Sequence, residues 1–101
     1  MIRFARWIEL VAISGREHDV WAFLIDALPV AQNDTEVRFW FALRLDRATF
    51  AIFDAFDSND AREAKLRGPI AEALQDRTGS LFSAPTIREA EMFAVKLTRD
   101  D

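Results

Sequence analysis

Between Val37 and Phe56 the chain reads as a β-hairpin with two apolar faces, and this limits the possible folds more than any other feature of its 101 residues. A two-residue Asp46-Arg47 turn pairs Leu45 with Ala48. It then sets Leu43 against Phe50, Phe41 against Ile52, Phe39 against Asp54 and Val37 against Phe56. That face is apolar except for Asp54. The opposite face carries Trp40 with Phe53 and Ala42 with Ala51, bounded by Arg38 and Arg44. An antiparallel sheet in water usually keeps one wet face. Two covered faces predict helices on one side and a second copy of the chain on the other.

Half of the residues are apolar and 30% are charged, which fits one globular domain over residues 1–101 with a short polar tail at 98–101. Thirteen Lys and Arg are outnumbered by seventeen Asp and Glu and are scattered along the chain, which argues against nucleic-acid binding. The absence of Cys excludes a disulfide framework and thiolate chemistry. No apolar run approaches the roughly 20 residues of a membrane span, and charges at Arg3 and Arg6 break the apolar stretch a signal peptide needs. The expectation is a soluble, cytoplasmic protein with neither membrane nor nucleic acid among its partners. No Gly-rich phosphate loop, metal-spaced cluster or Ser-His-Asp set occurs, so no metal is expected.

Ile2 to Val11 has strand character, with Phe4, Ile8 and Leu10 on one face and Ala5, Trp7 and Val11 on the other. Ser14 and Glu17 stand at capping-box spacing, so a helix is expected to start there. Its stripe is Val20, Phe23, Leu24, Ala27, Leu28 and Ala31, and Pro29 should kink it or end it early. Gln32 to Thr35 makes a loop. After the hairpin, Ser58, Asn59 or Asp60 caps a second helical region with Leu66, Ile70, Ala73 and Leu74 inward. Gly68-Pro69 divides this region into two segments, the second ending near Gly79, and the bend there can shape a pocket wall. A final strand is expected over Thr86 to Leu97. The order β-α-β-β-α-β is the ferredoxin-like plan: an α+β domain with a four-stranded antiparallel sheet and both helices on one face.

The runs Phe39 to Leu45, Thr49 to Phe56, Ala61 to Leu66 and Gly68 to Ala71, together with the closing Ala94-Val95-Lys96-Leu97, resemble the antibiotic biosynthesis monooxygenase domain family. The similarity extends over nearly the whole chain. It implies a dimeric α/β barrel, a homodimer in which the sheets of two chains pack face to face. It also implies oxidation of a small phenolic or quinol-like aromatic by molecular oxygen with no cofactor. In such chemistry the protein supplies shape, a base and charge stabilisation. The same fold also carries non-enzymatic dimers that bind a small aromatic or apolar ligand or act as regulatory modules, so that alternative stands beside the oxygenase.

Asp54 is the first candidate for catalysis, because desolvation on an apolar strand face raises a carboxyl toward the range useful for a base. Its structural alternative is a salt bridge to a helix residue. Trp40 can stack on a flat substrate while its indole donates a hydrogen bond, or can serve as packing. His18, the only histidine, is the weakest candidate, at the start of the first helix. Phe39, Phe41, Phe50, Phe56, Leu66 and Ile70 are the candidate wall of an apolar substrate pocket. Arg38 and Arg44 can hold an anionic group or form ion pairs between subunits. Two departures from the family pattern matter. Lys65 stands where many relatives carry His, which removes the group a haem iron would need, and Phe41 replaces the frequent Tyr in a chain with no Tyr at all.

Overall fold

Alternation along the strands decides which side chains meet the helices. The structure, a computed structural model, describes residues 2–97, and the polar tail expected at 98–101 lies outside the described residues. The elements in order are β1 (Phe4–Val11), α1 (Glu17–Gln32), β2 (Phe39–Arg44), β3 (Thr49–Phe56), α2 (Asn59–Ala64), a single 3-10 turn (Lys65–Arg67), α3 (Pro69–Arg77) and β4 (Thr86–Glu91). The strands form one antiparallel sheet in the order β2-β3-β1-β4. The fold is α+β and ferredoxin-like, as the pattern implied. Ile8 and Leu10 of β1 share a face with Phe50 and Ile52 of β3 and pack under Val20 and Leu24 of α1 and Leu74 of α3. Leu81 and Phe82 close this core.

The hairpin register differs from expectation by one residue. Trp40 pairs with Asp54, Phe41 with Phe53, Ala42 with Ile52 and Arg44 with Phe50. The cause is the turn. Asp46 Oδ1 accepts the Ala48 and Thr49 N–H groups at 3.0 and 2.9 Å, and Leu45 N–H reaches Thr49 O at 2.8 Å. These bonds build a three-residue loop, and Arg44 Nη2 ties it down by donating to Arg47 O at 2.8 Å. Because side chains alternate, the one-residue slip moves a whole strand face. Trp40 now shares the helix-covered face with Asp54, while Phe39 and Phe41 join Phe53 on the open face.

That open face is aromatic. Phe39 stacks on Phe41 with centroids 5.0 Å apart and meets Phe53 at 5.4 Å, and Trp7 meets Phe53 at 6.0 Å. Phe41 remains 51% exposed.

Three helix expectations need correction or refinement. Ser14 caps nothing: Gly15 turns in the left-handed region at φ 89°, and the helix begins two residues later with Arg16 at the N-cap and no side-chain cap. Pro29 does not end α1, which runs on to Gln32. Both Pro29 and Ile25, whose carbonyl loses its N–H partner, lie on the solvent side. Ser58 is the cap of α2, its Oγ accepting Ala61 N–H at 3.1 Å. Gly68 and Pro69 separate the two helical segments as expected, and Pro69 is tolerated in the first turn of α3.

β4 ends at Glu91 rather than Leu97. Running antiparallel to β1, it passes Phe4 and makes one further bond, from Met92 N–H to Arg3 O at 2.7 Å. Beyond that point no strand among the described residues lies beside it, and Phe93 is left 89% exposed.

Candidate functional site

Three side chains stand in one row across the sheet. Trp40 on β2 is the direct neighbour of Asp54 on β3, and Asp54 is the direct neighbour of Arg6 on β1. All three point toward the helices and line a cavity of about 270 Å³ between sheet and helical layer. Ile8, Ile52 and Ile87 complete its floor, and Leu66, Gly68, Pro69, Ile70 and Leu74 form its roof. Direct cross-strand neighbours have Cβ atoms about 5 Å apart, so the row gives closely spaced polar groups on a rigid support.

Asp54 and Arg6 are 4% and 5% exposed. Their bond, Arg6 Nη2 to Asp54 Oδ2, is 3.3 Å long, and Arg6 Nη1 donates to the carbonyl oxygen of Arg62 at 3.4 Å. Arg6 Nε, Asp54 Oδ1 and Trp40 Nε1 are buried and find no hydrogen-bond partner among the described residues. Such atoms are uncommon in folded proteins and cost about 1–3 kcal/mol each. Here they comprise two donors and one acceptor, carried by three residues that line the same cavity. Burial pushes the Asp54 carboxyl above its ordinary range, against the pull of the Arg6 charge and hydrogen bond. Its charge partner is therefore an arginine on the adjacent strand rather than a helix residue.

Arg62 positions the roof. Its Nη1 donates to Ala5 O and Ala90 O at 3.2 and 3.3 Å, which pins α2 to β1 and β4. Its Nε lies 3.1 Å from Glu89 as an ion pair, without the alignment of a hydrogen bond. At the cavity rim Lys65 pairs with Asp34 and stands 3.9 Å from Glu36, joining the 3-10 turn to the loop after α1. Burial works to raise the Asp34 carboxyl, but Lys65 and the N–H groups of Glu36 and Val37 outweigh it and leave it below its ordinary range.

Of the residues singled out from sequence, Asp54, Trp40, Leu66 and Ile70 meet at this cavity. Phe50 and Phe56 do not line it: they are 1% and 0% exposed and fill the interior. Phe39 and Phe41 are on the other side of the sheet, for the register reason given above. His18 is exposed on α1 and lies outside the cavity wall. Arg38 pairs with Asp57 at 3.6 Å, and Arg44 holds the hairpin loop, so neither reaches the cavity. Arg6 and Arg62 escaped the sequence reading, although Arg6 left a signal. It interrupts the inward series Phe4, Ile8 and Leu10 at the position that faces the equally anomalous Asp54.

Among the described residues no group of three or more His, Cys, Asp or Glu could hold a metal ion. No helix among the described residues is long and apolar enough to cross a membrane.

Neither a protein-family model nor a curated protein matches the sequence. Solved structures do match. The chain is similar to a protein of unknown function from Nitrosomonas europaea at 38% identity and a TM-score of 0.93, over 99% of this chain and 98% of that one. Fold alone relates it to a Deinococcus radiodurans protein provisionally described as an antibiotic biosynthesis monooxygenase, at 14% identity and TM-score 0.79, over 96% and 99% of the two chains. A Bordetella bronchiseptica protein with the same provisional description matches at 13% identity and TM-score 0.74, over 93% and 100%. At 38% identity over essentially the full length, the chain belongs to the family of the Nitrosomonas europaea protein of unknown function.

Proposed function

We propose that the protein is a monooxygenase that oxidises a small phenolic or quinol-like aromatic with molecular oxygen and no cofactor. The supporting observation is that Asp54 and Trp40, cross-strand neighbours that both line one apolar cavity, each keep a buried polar atom without a partner among the described residues, a carboxylate oxygen and an indole N–H. A cavity of about 270 Å³ is at the small end for ligands and suits one or two fused rings. The fold likeness to the two provisionally described monooxygenases agrees with this class.

In this reading Asp54 Oδ1 accepts the acidic proton of the bound aromatic, and Trp40 Nε1 donates to the oxygen that gains charge. The resulting anion passes electrons to molecular oxygen. One oxygen atom ends as a carbonyl oxygen on the ring carbon para to the hydroxyl, which gives up its hydrogen, and the other leaves as water, so phenol and molecular oxygen become quinone and water with all the electrons coming from the substrate. The apolar walls exclude bulk water and strengthen both interactions. The protein acts as a homodimer through its open aromatic face, where Phe39, Phe41, Phe53 and Trp7 await cover.

The test is oxygen uptake by chelator-treated, flavin-free protein with naphthols and other one- or two-ring phenols and hydroquinones, corrected for autoxidation. Asp54→Asn and Trp40→Phe should each lower the enzymatic rate about a hundredfold. Full activity in either variant removes that residue from the mechanism. Specific ligand binding with no oxygen uptake replaces the oxygenase by a binding module.

A further inference from the structure

Building on the cavity as a phenol site, we infer that Arg6 takes part in the chemistry: its Nε–H holds the substrate oxygen once Asp54 has accepted the proton, and the site selects uncharged weak acids. Arg6 is only 5% exposed, yet its guanidinium is incompletely used. Nη2 reaches Asp54 Oδ2 at 3.3 Å, Nη1 reaches Arg62 O at 3.4 Å, and Nε has no partner among the described residues. The group rests 5.5 Å from the centroid of the Phe56 ring, which with the two contacts fixes its plane. A buried arginine needed only to neutralise Asp54 would present a bidentate fork to both carboxylate oxygens. Here one donor and one acceptor are left over, on two residues that are direct neighbours in the strand row and both line the cavity.

The charges around the cavity set the class of ligand. Arg6 balances Asp54 inside, and Lys65 balances Asp34 at the rim. An anionic ligand brings an uncompensated charge into an apolar space, whereas a neutral one does not. Proton transfer then breaks the substrate O–H bond and forms an O–H bond on Asp54 Oδ1, with no change in oxidation state. Arg6 exchanges a carboxylate partner for the new oxyanion, so the cavity's net charge stays constant. Exchanging one ion pair for another avoids creating a lone charge at low dielectric.

The experiment uses para-nitrophenol, whose anion is coloured, with wild type, Arg6→Gln, Arg6→Lys and Asp54→Asn, and separates bound from free probe by equilibrium dialysis. Probe bound to wild type should ionise at a pH lower by about one unit or more than probe bound to Arg6→Gln, with Arg6→Lys in between. Asp54→Asn frees Arg6 from its internal counter-charge and should bind the phenolate about tenfold more tightly than wild type. Equal ionisation in wild type and Arg6→Gln, or no gain in phenolate affinity in Asp54→Asn, overturns the role of Arg6 while leaving the cavity a phenol site. If Arg6→Gln does not fold, Arg6→Lys, which keeps a buried positive charge beside Asp54, decides: its bound probe should ionise at a higher pH than in wild type, and equal ionisation overturns the role of Arg6. Failure of folded wild type to bind the probe removes the phenol reading and the role of Arg6 with it.

Discussion

Removing one member of the Arg6–Asp54 pair should harm the fold more than removing both. Each side chain is 6% exposed and the charged atoms are 3.3 Å apart, a separation at which attraction is about 5 kcal/mol for an effective dielectric near 20. Arg6→Met or Asp54→Leu strands the other charge in the interior, an effect of about 3–5 kcal/mol. A domain of this size holds only about 5–15 kcal/mol in total, so either single variant should be close to unfolding. The pair itself is poorly satisfied, with Arg6 Nε and Asp54 Oδ1 unpartnered. The double variant Arg6→Met/Asp54→Leu removes both charges and both orphan atoms while filling much of the same volume. It should match wild type within about 1 kcal/mol or exceed it. Urea unfolding at neutral pH, followed by far-ultraviolet circular dichroism, gives all three values, and the coupling between the sites should be at least about 3 kcal/mol. Additive losses in the double variant would refute the claim that this row is held in place against stability.

The remaining expectations concern pH, association and the rim. Because burial raises the Asp54 carboxyl, the folded state binds that proton more tightly than the unfolded state. Asp54 therefore lowers stability as pH climbs from the ordinary carboxylate range, near 4, through its raised value, and adds no slope above it. Asp34, held below its ordinary range, has the opposite sign and its contribution is lost as pH falls through its folded value. A pH series of unfolding curves should show the first slope vanish in Asp54→Asn and the second in Asp34→Asn. For the open face, light scattering at micromolar protein should give about twice the 11.6 kDa chain mass, and Phe53→Asp should return a folded monomer. A monomeric wild type would remove the face-to-face dimer. Lys65→Met should cost the fold about 1 kcal/mol or less, since the pair is partly solvated. Amide exchange should nonetheless quicken at residues 65–67 and leave β1 and β3 unchanged.

Element order, the break at Gly68 and Pro69 and the grouping of Phe50, Ile52, Asp54 and Phe56 on one face of β3 were all legible in the sequence, because each follows from alternation, helical spacing or proline chemistry; which face meets the helices was not. What was not legible depended on single side chains acting at a distance of two or three residues. Asp46 chose a three-residue loop over a two-residue one, and that choice moved Trp40 to the face of Asp54 and removed Phe39 and Phe41 from it. Gly15 carried the helix start past Ser14. Arg6 was hidden for a different reason: an arginine among Phe4, Ile8 and Leu10 reads as noise until its strand is aligned with Asp54. Two opposite charges at inward positions of two strands were the available clue.

The division of the cavity between sheet and helices has a consequence for how such a protein diversifies. Its polar row belongs to three hydrogen-bonded strands, whose spacing barely tolerates change. Its ceiling belongs largely to a 3-10 turn of three residues and the nine-residue α3, which meet at a glycine. Substitutions at Leu66, Ile70 or Ala71 can reshape the space above Asp54 without disturbing the sheet. The polar row and the shape of the space above it are thereby carried by separate stretches of the chain, so the second can change while the first is kept.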